Sequence, residues 1–505
     1  MNNNQNYFFD RFDQYGSRTA FLQDDGSAMT YAQIDEYAAW MHSVIPARTL
    51  VFCLCENTIG SAAGYLACLH NRIVPLLLDA AINLQLLGDL IRLYQPGWLY
   101  VPEQLAESEA FRQALPRIQE ESMPGGADAG ACKSTDDAGT VRGSSAGSRG
   151  YMLIKTGYAE SVPMDDALGL LLTTSGSTGS PKLVRQSYAN IQANTDSIVS
   201  YLEIDGEERP VTTLPMYYTY GLSVINSHVH AGACVLVTEH SIITRAFWDF
   251  MKKNRATSIA GVPYTYEMLK RARFFRMELP DLHTMTQAGG KLLPELHREF
   301  AEYAAANGKK FVVMYGQTEA TARMGYLPAD KALEKVGSMG IPIPGGRFAL
   351  IDVNGNEITA PEQTGELIYE GANVTLGYAE CREDLAKGDE RHGRLETGDM
   401  AQFDADGYYF IVGRKKRFLK LFGSRVNLDE VERMIRPEFP DIDCACSGDD
   451  DVLKVFITDP HFCGDVERFL ISRTHINQRA IRVIPISAIP RSESGKVLYK
   501  ELSQR

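Results

Sequence analysis

The chain has 505 residues, 44% of them hydrophobic and 23% charged, and carries a net charge of −13. That length exceeds one typical domain and suits about two to four with a large core, and the balance excludes a fibrous or disordered chain. The negative excess excludes an extended nucleic-acid surface, because duplex phosphates demand a clustered positive field.

The first stretch, MNNNQNYFFDRF, has no basic leader ahead of an apolar core. No apolar run approaches the roughly 20 residues a membrane helix requires, so a cytoplasmic protein without a membrane span is expected. Thr30 followed by Gln33 makes a capping-box start, and Ile34, Tyr37, Ala38 and Met41 fall on one face, which predicts a helix. LVFCLC then reads as a buried strand, IGSAAGYLACLH as the helix packed on it and IVPLLL as the next strand. Alternation of this kind predicts a parallel sheet covered by helices. Cys53 with Cys55, and Cys444 with Cys446, have C-x-C spacing inside apolar runs. Zinc sites want C-x2-C or longer with a second pair downstream, so these thiols are expected to be reduced, buried and structural.

Residues 124–150 contain almost no large apolar side chain and read as a linker or insertion. After them LLLTTSGSTGSPKLV breaks an apolar, strand-like run with Ser, Thr and Gly, then a proline and Lys182. Small residues let a backbone approach a ligand, and N–H groups, hydroxyls and a cation suit polyphosphate. The stretch does not meet G-x-x-x-x-G-K-[ST], and a flexible surface loop is the plain alternative.

YGQTE follows the apolar run FVVM, where a strand end projects residues into a cleft. It offers an aromatic face, a hydroxyl and a carboxylate able to hold Mg²⁺. FALIDVNGNEI and AQFDADGYYFIVG read as strand pairs joined at Asn354-Gly355 and Asp406-Gly407, so an antiparallel sheet is predicted. Between them LETGD sets Asp399 after a glycine turn, where its carboxylate could accept from a ribose diol. The charge burst RKKRFLK marks a junction. Beyond it Asn427 and Glu430 cap a helix with a stripe of Leu428, Val431, Met434 and Ile435, VLKVFI and IRVIPI read as strands, and DVERFLI reads as a helix.

Taken in order, TTSGSTGSPK, YGQTE, GELIYEGANVTLGY, LETGD, GRKKRFLKLFGSRVNLDEVE and PRSESGK resemble the successive signatures of the adenylate-forming superfamily of acyl-CoA synthetases, peptide-synthetase adenylation domains and luciferases. The resemblance implies an α/β fold in which a large N-terminal domain, residues 1–413, has helix-covered sheets and a small β-barrel-like sheet. A hinge at 414–417 and a small, mobile α+β domain at 418–505 follow. Thr174, Ser175, Gly176, Ser177, Thr178, Gly179 and Lys182 would close over the β- and γ-phosphates of ATP. Tyr315 would pack on adenine beside Gly289, Gly290, Gly316 and Gln317; Thr318 would touch the α-phosphate, Glu319 would hold Mg²⁺, and Asp399 with Arg414 would hold the ribose. Lys496 would reach the substrate carboxylate and the α-phosphate, Lys416 would be the hinge residue, and Gly423 would face the incoming thiol.

The implied activity is ATP-dependent ligation of a small carboxylic acid to a thiol, of CoA or of phosphopantetheine on a separate carrier protein. An amino-acid-activating enzyme, a luciferase-like oxygenase and a non-catalytic ligand sensor are the alternatives. Tyr218 stands where the family often has a gating histidine, and no acidic residue lies between positions 214 and 228 to pair a substrate ammonium. A plain aliphatic, aryl or hydroxy acid follows, in a pocket lined by Tyr218, Ser223, Asn226 and the QAGGK segment with Ala288.

Overall fold

The computed structural model describes residues 6–120, 140–142, 150–158, 161–173, 182–421, 424–448, 452–474, 478–491 and 497–503. The Thr30 hydroxyl accepts from Gln33 N and the Gln33 side chain accepts from Thr30 N, which starts the helix Tyr31–Val44 at the predicted residue. Ile34, Tyr37, Ala38 and Met41 are buried. The strand Leu50–Cys55 is buried on both faces, as expected of a central parallel strand, and lies between Val74–Asp79 and Trp98–Pro102. The helix Ile59–His70 is buried from Ile59 to Leu69, which an all-round apolar helix between layers requires.

Among the described residues these strands belong to an eight-stranded sheet, and a nine-stranded sheet lies beyond. The first is mixed: Leu168–Thr173 runs parallel to Val74–Asp79, then turns back as Leu183–Ser187 in an antiparallel pair. The second is parallel through Val235–Val237, Pro210–Val211, Ser258–Gly261, Thr284–Gln287 and Lys310–Tyr315. Part of the predicted insertion is ordered, because Thr140–Arg142 adds an edge strand to Tyr151–Lys155. Backbone pairing at a sheet edge requires no large apolar side chain, which is why composition alone missed it.

Gly346–Ile351, Gly365–Gly371, Arg394–Phe403 and Tyr409–Arg414 form a four-stranded antiparallel sheet. It curls enough for the Tyr409 ring to lie 5.1 Å from Phe348 on the opposite edge strand. The hairpin at Gly407, φ +81°, is as expected, whereas the turn at Gly355 returns only as a bridge between Ile351 and Glu357. After the turn Lys415–Arg417, the C-terminal unit packs the helices Leu428–Glu438 and Cys463–Thr474 with the strands Cys444–Gly448, Leu453–Ile457 and Ile481–Pro485. Leu428, Val431 and Ile435 are buried, as the stripe predicted; the Asn427 cap lies outside the described side chains.

Candidate active site

Asp399 follows no simple turn. It lies inside the strand Arg394–Phe403, where the pairing with Gly365–Gly371 slips between Glu366 and Ile368. Gly398, at φ +70°, lets the strand bulge, and the Thr397 hydroxyl pins the bulge by donating to Leu367 O at 2.7 Å. A bulge re-aims the next side chain, so the Asp399 carboxylate turns to the end of Lys310–Tyr315. There Oδ2 accepts from Tyr315 Oη at 2.6 Å and from Gln317 Nε2 at 2.9 Å, and Oδ1 lies 3.3 Å from Arg414 Nε. Burial raises the Asp399 carboxyl above its usual range despite Arg414 and the two donors. Burial, and then the Asp399 charge, push the Tyr315 phenol well up, so it stays a donor.

A second cluster forms around Glu319. The strand Gly377–Ala379 pairs antiparallel with Leu183–Ser187, and this sets Tyr378 beside Lys182. Glu319 Oε1 accepts from Tyr378 Oη at 2.7 Å, Lys182 Nζ lies 3.9 Å over the Tyr378 ring, and the Arg391 guanidinium lies 4.6 Å from that ring. Lys182 also pairs with the exposed Glu380 at 3.2 Å, and Arg391 donates to Glu319 O and to the Thr375 hydroxyl. The second oxygen of Glu319 has no protein partner among the described residues.

Between the clusters the backbone is strained. Thr321 has φ +64° and ψ −63°, and Ala322 N donates to Ala320 O at 2.7 Å, which is a γ-turn centred on a β-branched residue. That conformation costs about 1–3 kcal/mol and persists only where its surroundings over-determine it. Here they do: Thr321 Oγ1 donates to Asn373 O at 2.7 Å, Gln186 and Thr219 donate to Thr321 O, and Asn373 Nδ2 donates to Ala320 O and Arg323 O. Gly316 is required by the same turn, because a Cβ there would stand 1.8 Å from Ala322 O.

Gly289, φ +81°, faces the Tyr218 hydroxyl, 2.6 Å from where its Cβ would be, and Gln287 Nε2 ties the segment together through Ala288 O and Gly290 O. Lys291 turns away from this pocket and donates to Ile411 O at 2.7 Å; burial and then Arg433 lower it to about 8. On the helix Thr219–His230, Ser223 donates to Tyr220 O and Asn226 lies beside Tyr65, so neither lines the cavity beneath the helix. The residues that do are one step round the helix, Val224 and His228, joined by Ala260, Thr286 and Arg323. Burial lowers His228 to about 4, leaving a neutral ring whose Nδ1 bonds Val224 O at 2.8 Å.

Thr174, Ser175, Gly176, Ser177, Thr178, Gly179, Gly423 and Lys496 lie outside the described residues, as does the side chain of Lys416. Thr318 is buried in the turn that carries Glu319. Sequence reading missed Tyr378, Arg391, Thr321 and Arg323. Tyr378 ends the quoted GELIYEGANVTLGY, but its partners come from a remote strand; Arg391 and Arg323 carry no local signal.

The family described as AMP-binding enzyme matches residues 8–379. Peroxisomal OPC-8:0-CoA ligase 1 of Arabidopsis thaliana is 28% identical over 357 residues, 68% of this chain and 65% of that protein. Oxalate–CoA ligase of the same plant is 31% identical over 281 residues, 55% of this chain and 54% of that protein. The match thus spans a little over half to just under two thirds of these curated relatives. In fold, the chain is similar to o-succinylbenzoate CoA synthetase of Bacillus subtilis in complex with its acyl-adenylate intermediate, with a TM-score of 0.76 at 20% identity over 99% of this chain and 98% of that one. With a match that covers most of its length and takes in Lys182, Tyr315, Glu319 and Tyr378, this chain belongs to the AMP-binding enzyme family.

Proposed function

We propose that the protein is an ATP-dependent acid–thiol ligase that joins a carboxylic acid to AMP with release of pyrophosphate, then passes the acyl group to a thiol. The observation that carries this reading is the convergence, at the end of one parallel strand, of the Tyr315–Gln317–Asp399–Arg414 constellation and the Glu319–Tyr378 pair. A carboxylate fixed by two donors and a neighbouring cation is suited to a ribose diol, and the half-buried Tyr315 ring beside it to a base. Gly289 and Gly290 let the segment pack closely against Tyr218, Val262 and Pro263, beside where the acid and the nucleotide would meet.

The uncommitted oxygen of Glu319 is the donor that Mg²⁺ asks of a protein in such sites, one carboxylate beside phosphates and waters. The ion would supply positive charge beside the phosphates. Lys182 and Arg391, both on the Tyr378 ring, add further cations to the same side. In the reaction a carboxylate oxygen bonds to the α-phosphorus while the bond to pyrophosphate breaks, two anions meet, and cations must face the accumulating charge. Lys496 serves this step.

The hinge reading gains support from the side chains flanking Lys416. Lys415 pairs with Glu366 and Arg414 with Asp399, while Arg417 is held by Glu432 and Asp429 of the C-terminal unit, so anchors to two units meet at one residue. CoA is the acceptor in the names of the curated relatives and the one proposed here; a carrier protein is the finer alternative. The eight described cysteines are free thiols, and no helix among the described residues is long and apolar enough to cross a membrane, which supports a cytoplasmic location.

Lys496→Ala should retain ATP binding by calorimetry and lose about 10²–10³-fold in acid-dependent pyrophosphate exchange. Near-normal exchange in that variant sinks the assignment.

A further inference from the structure

Arg323 is 3% exposed, and no carboxylate lies within ion-pair distance of it among the described residues. Its Nη1 donates to Tyr201 Oη at 3.2 Å and to Met314 Sδ at 3.3 Å, and its guanidinium lies 5.1 Å from the Tyr220 ring. Nε is buried without a partner, and Nη2 has none among the described residues. All its neighbours are neutral acceptors. Removing a full charge from water with only such compensation costs several kcal/mol, which natural cores avoid unless the charge is used.

The guanidinium lines a cavity with room for a small polar group, walled by Val224 and His228 from the helix and by Ala260, Thr284 and Thr286 from the sheet. Thr286 and Ala288 are two residues apart on one chain direction and share a sheet face, so the cavity continues the face on which the QAGGK segment stands. Tyr220 borders both parts: its ring is 6.5 Å from that of Tyr218, its hydroxyl bonds Thr286 at 2.9 Å, and the Arg323 guanidinium lies 5.1 Å from its ring. His228 has Nδ1 engaged by Val224 O, and its Nε2 has no partner among the described residues. The one carboxylate lining the cavity, Glu208, sits toward the amino ends of the strands, where it accepts from the Thr257 hydroxyl and lies 3.5 Å from His283.

We propose that Arg323 binds a second anionic group of the acid substrate, so that the enzyme selects acids bearing a carboxylate or sulfonate at the end remote from the reacting carboxyl. This rests on the ligase reading above and names its substrate class. A guanidinium whose Nε–Nη2 edge is free matches the paired oxygens of either anion, and a charge-assisted pair formed away from water gives strong discrimination against a neutral isostere. An ω-amino acid of the same length is disfavoured, because its ammonium would meet a buried cation.

The test compares α,ω-dicarboxylic acids of increasing length, their monomethyl esters and the matching ω-sulfonic acids. Each is measured by calorimetric binding in the presence of a non-hydrolysable ATP analogue, and separately by pyrophosphate exchange. The free diacid or sulfo acid should bind roughly 10- to 100-fold more tightly than its ester, and Arg323→Met should abolish the difference while leaving the ester's affinity in place. Arg323→Lys, which keeps the charge but loses the fork, should retain part of it. A preference for diacids alone or for sulfo acids alone identifies the anion. Equal binding of acid and ester to the unmodified protein, or a preference that survives Arg323→Met, overturns the proposal. If binding shows the preference but no acid supports exchange, the subsite stands and the ligase reading falls.

Discussion

Arg323 and Arg417 are both buried guanidinium groups laid against a tyrosine ring, Tyr220 at 5.1 Å and Tyr499 at 3.6 Å. Their surroundings differ in one respect. Arg417 donates to Asp429, to Glu432 Oε1 at 2.6 Å and to Cys446 O at 3.1 Å, and Tyr499 donates to the other Glu432 oxygen. Arg185, fully buried in the large unit, likewise holds Glu390 at 2.6 Å along with backbone carbonyls. Arg323 alone of these three has no anion among the described residues. A buried cation whose counter-charge is part of the chain is architecture; one surrounded by neutral acceptors is where the proposed substrate anion would supply it.

The contrast can be broken most sharply at Arg417. Arg417→Met removes the closer cation from Glu432, itself 5% exposed, and leaves it only the Arg436 guanidinium at 3.9 Å, so it should cost about 3 kcal/mol in the C-terminal unit by denaturant unfolding. A loss below about 1 kcal/mol would mean that the network is not what holds that unit together.

Asp399→Asn probes a charge that is partnered yet still held above its ordinary pKa. Tyr315 and Gln317 can still donate to the amide oxygen, so the fold survives, while the weakened grip on the diol should raise the KM for ATP roughly tenfold or more. The sign for stability follows from the raised carboxyl. The folded state holds this proton more tightly than the unfolded chain, so ionisation costs stability as pH rises through the window above the ordinary carboxylate value of 3.8. The Asn variant should therefore melt no lower than the unmodified protein at pH 7, with that advantage shrinking as pH falls toward 4; a lower melting temperature at pH 7 counts against the assigned burial cost.

The smallest effect belongs to Arg323. Arg323→Met keeps the volume and removes an uncompensated cation, so melting should shift by less than about 1 kcal/mol in equivalent stability, or rise. A loss as large as that of Arg417→Met would make Arg323 structural and erase the contrast.

The elements that sequence alone located are those whose signal is local. The capping pair Thr30 and Gln33, the two-sided burial of Leu50–Cys55 and the hairpin at Asp406-Gly407 each depend on neighbours a few residues away. LETGD reads equally as a turn or a bulge before Asp399, because a glycine at positive φ serves both; the paired strand Gly365–Gly371 decides for the bulge. Periodicity places Ser223 and Asn226 on the helix, but only the rotation of that helix over its sheet, which periodicity does not give, puts Val224 and His228 on the wall of the cavity beneath it.

By itself the amino-acid order determined the family and the succession of motifs, and it singled out Tyr315, Glu319, Asp399 and Arg414 for the proposed site, since motif residues are recognised by type and close spacing. Tertiary structure decided which charges have partners. Tyr378 reaches Glu319 because Gly377–Ala379 pairs with Leu183–Ser187, and Arg323 has no counter-ion among the described residues because the strained turn at Thr321 sends it among Tyr201, Met314 and Tyr220. Electrostatic partnership depends on distance through space in a medium that excludes water, and neither quantity is written along the chain.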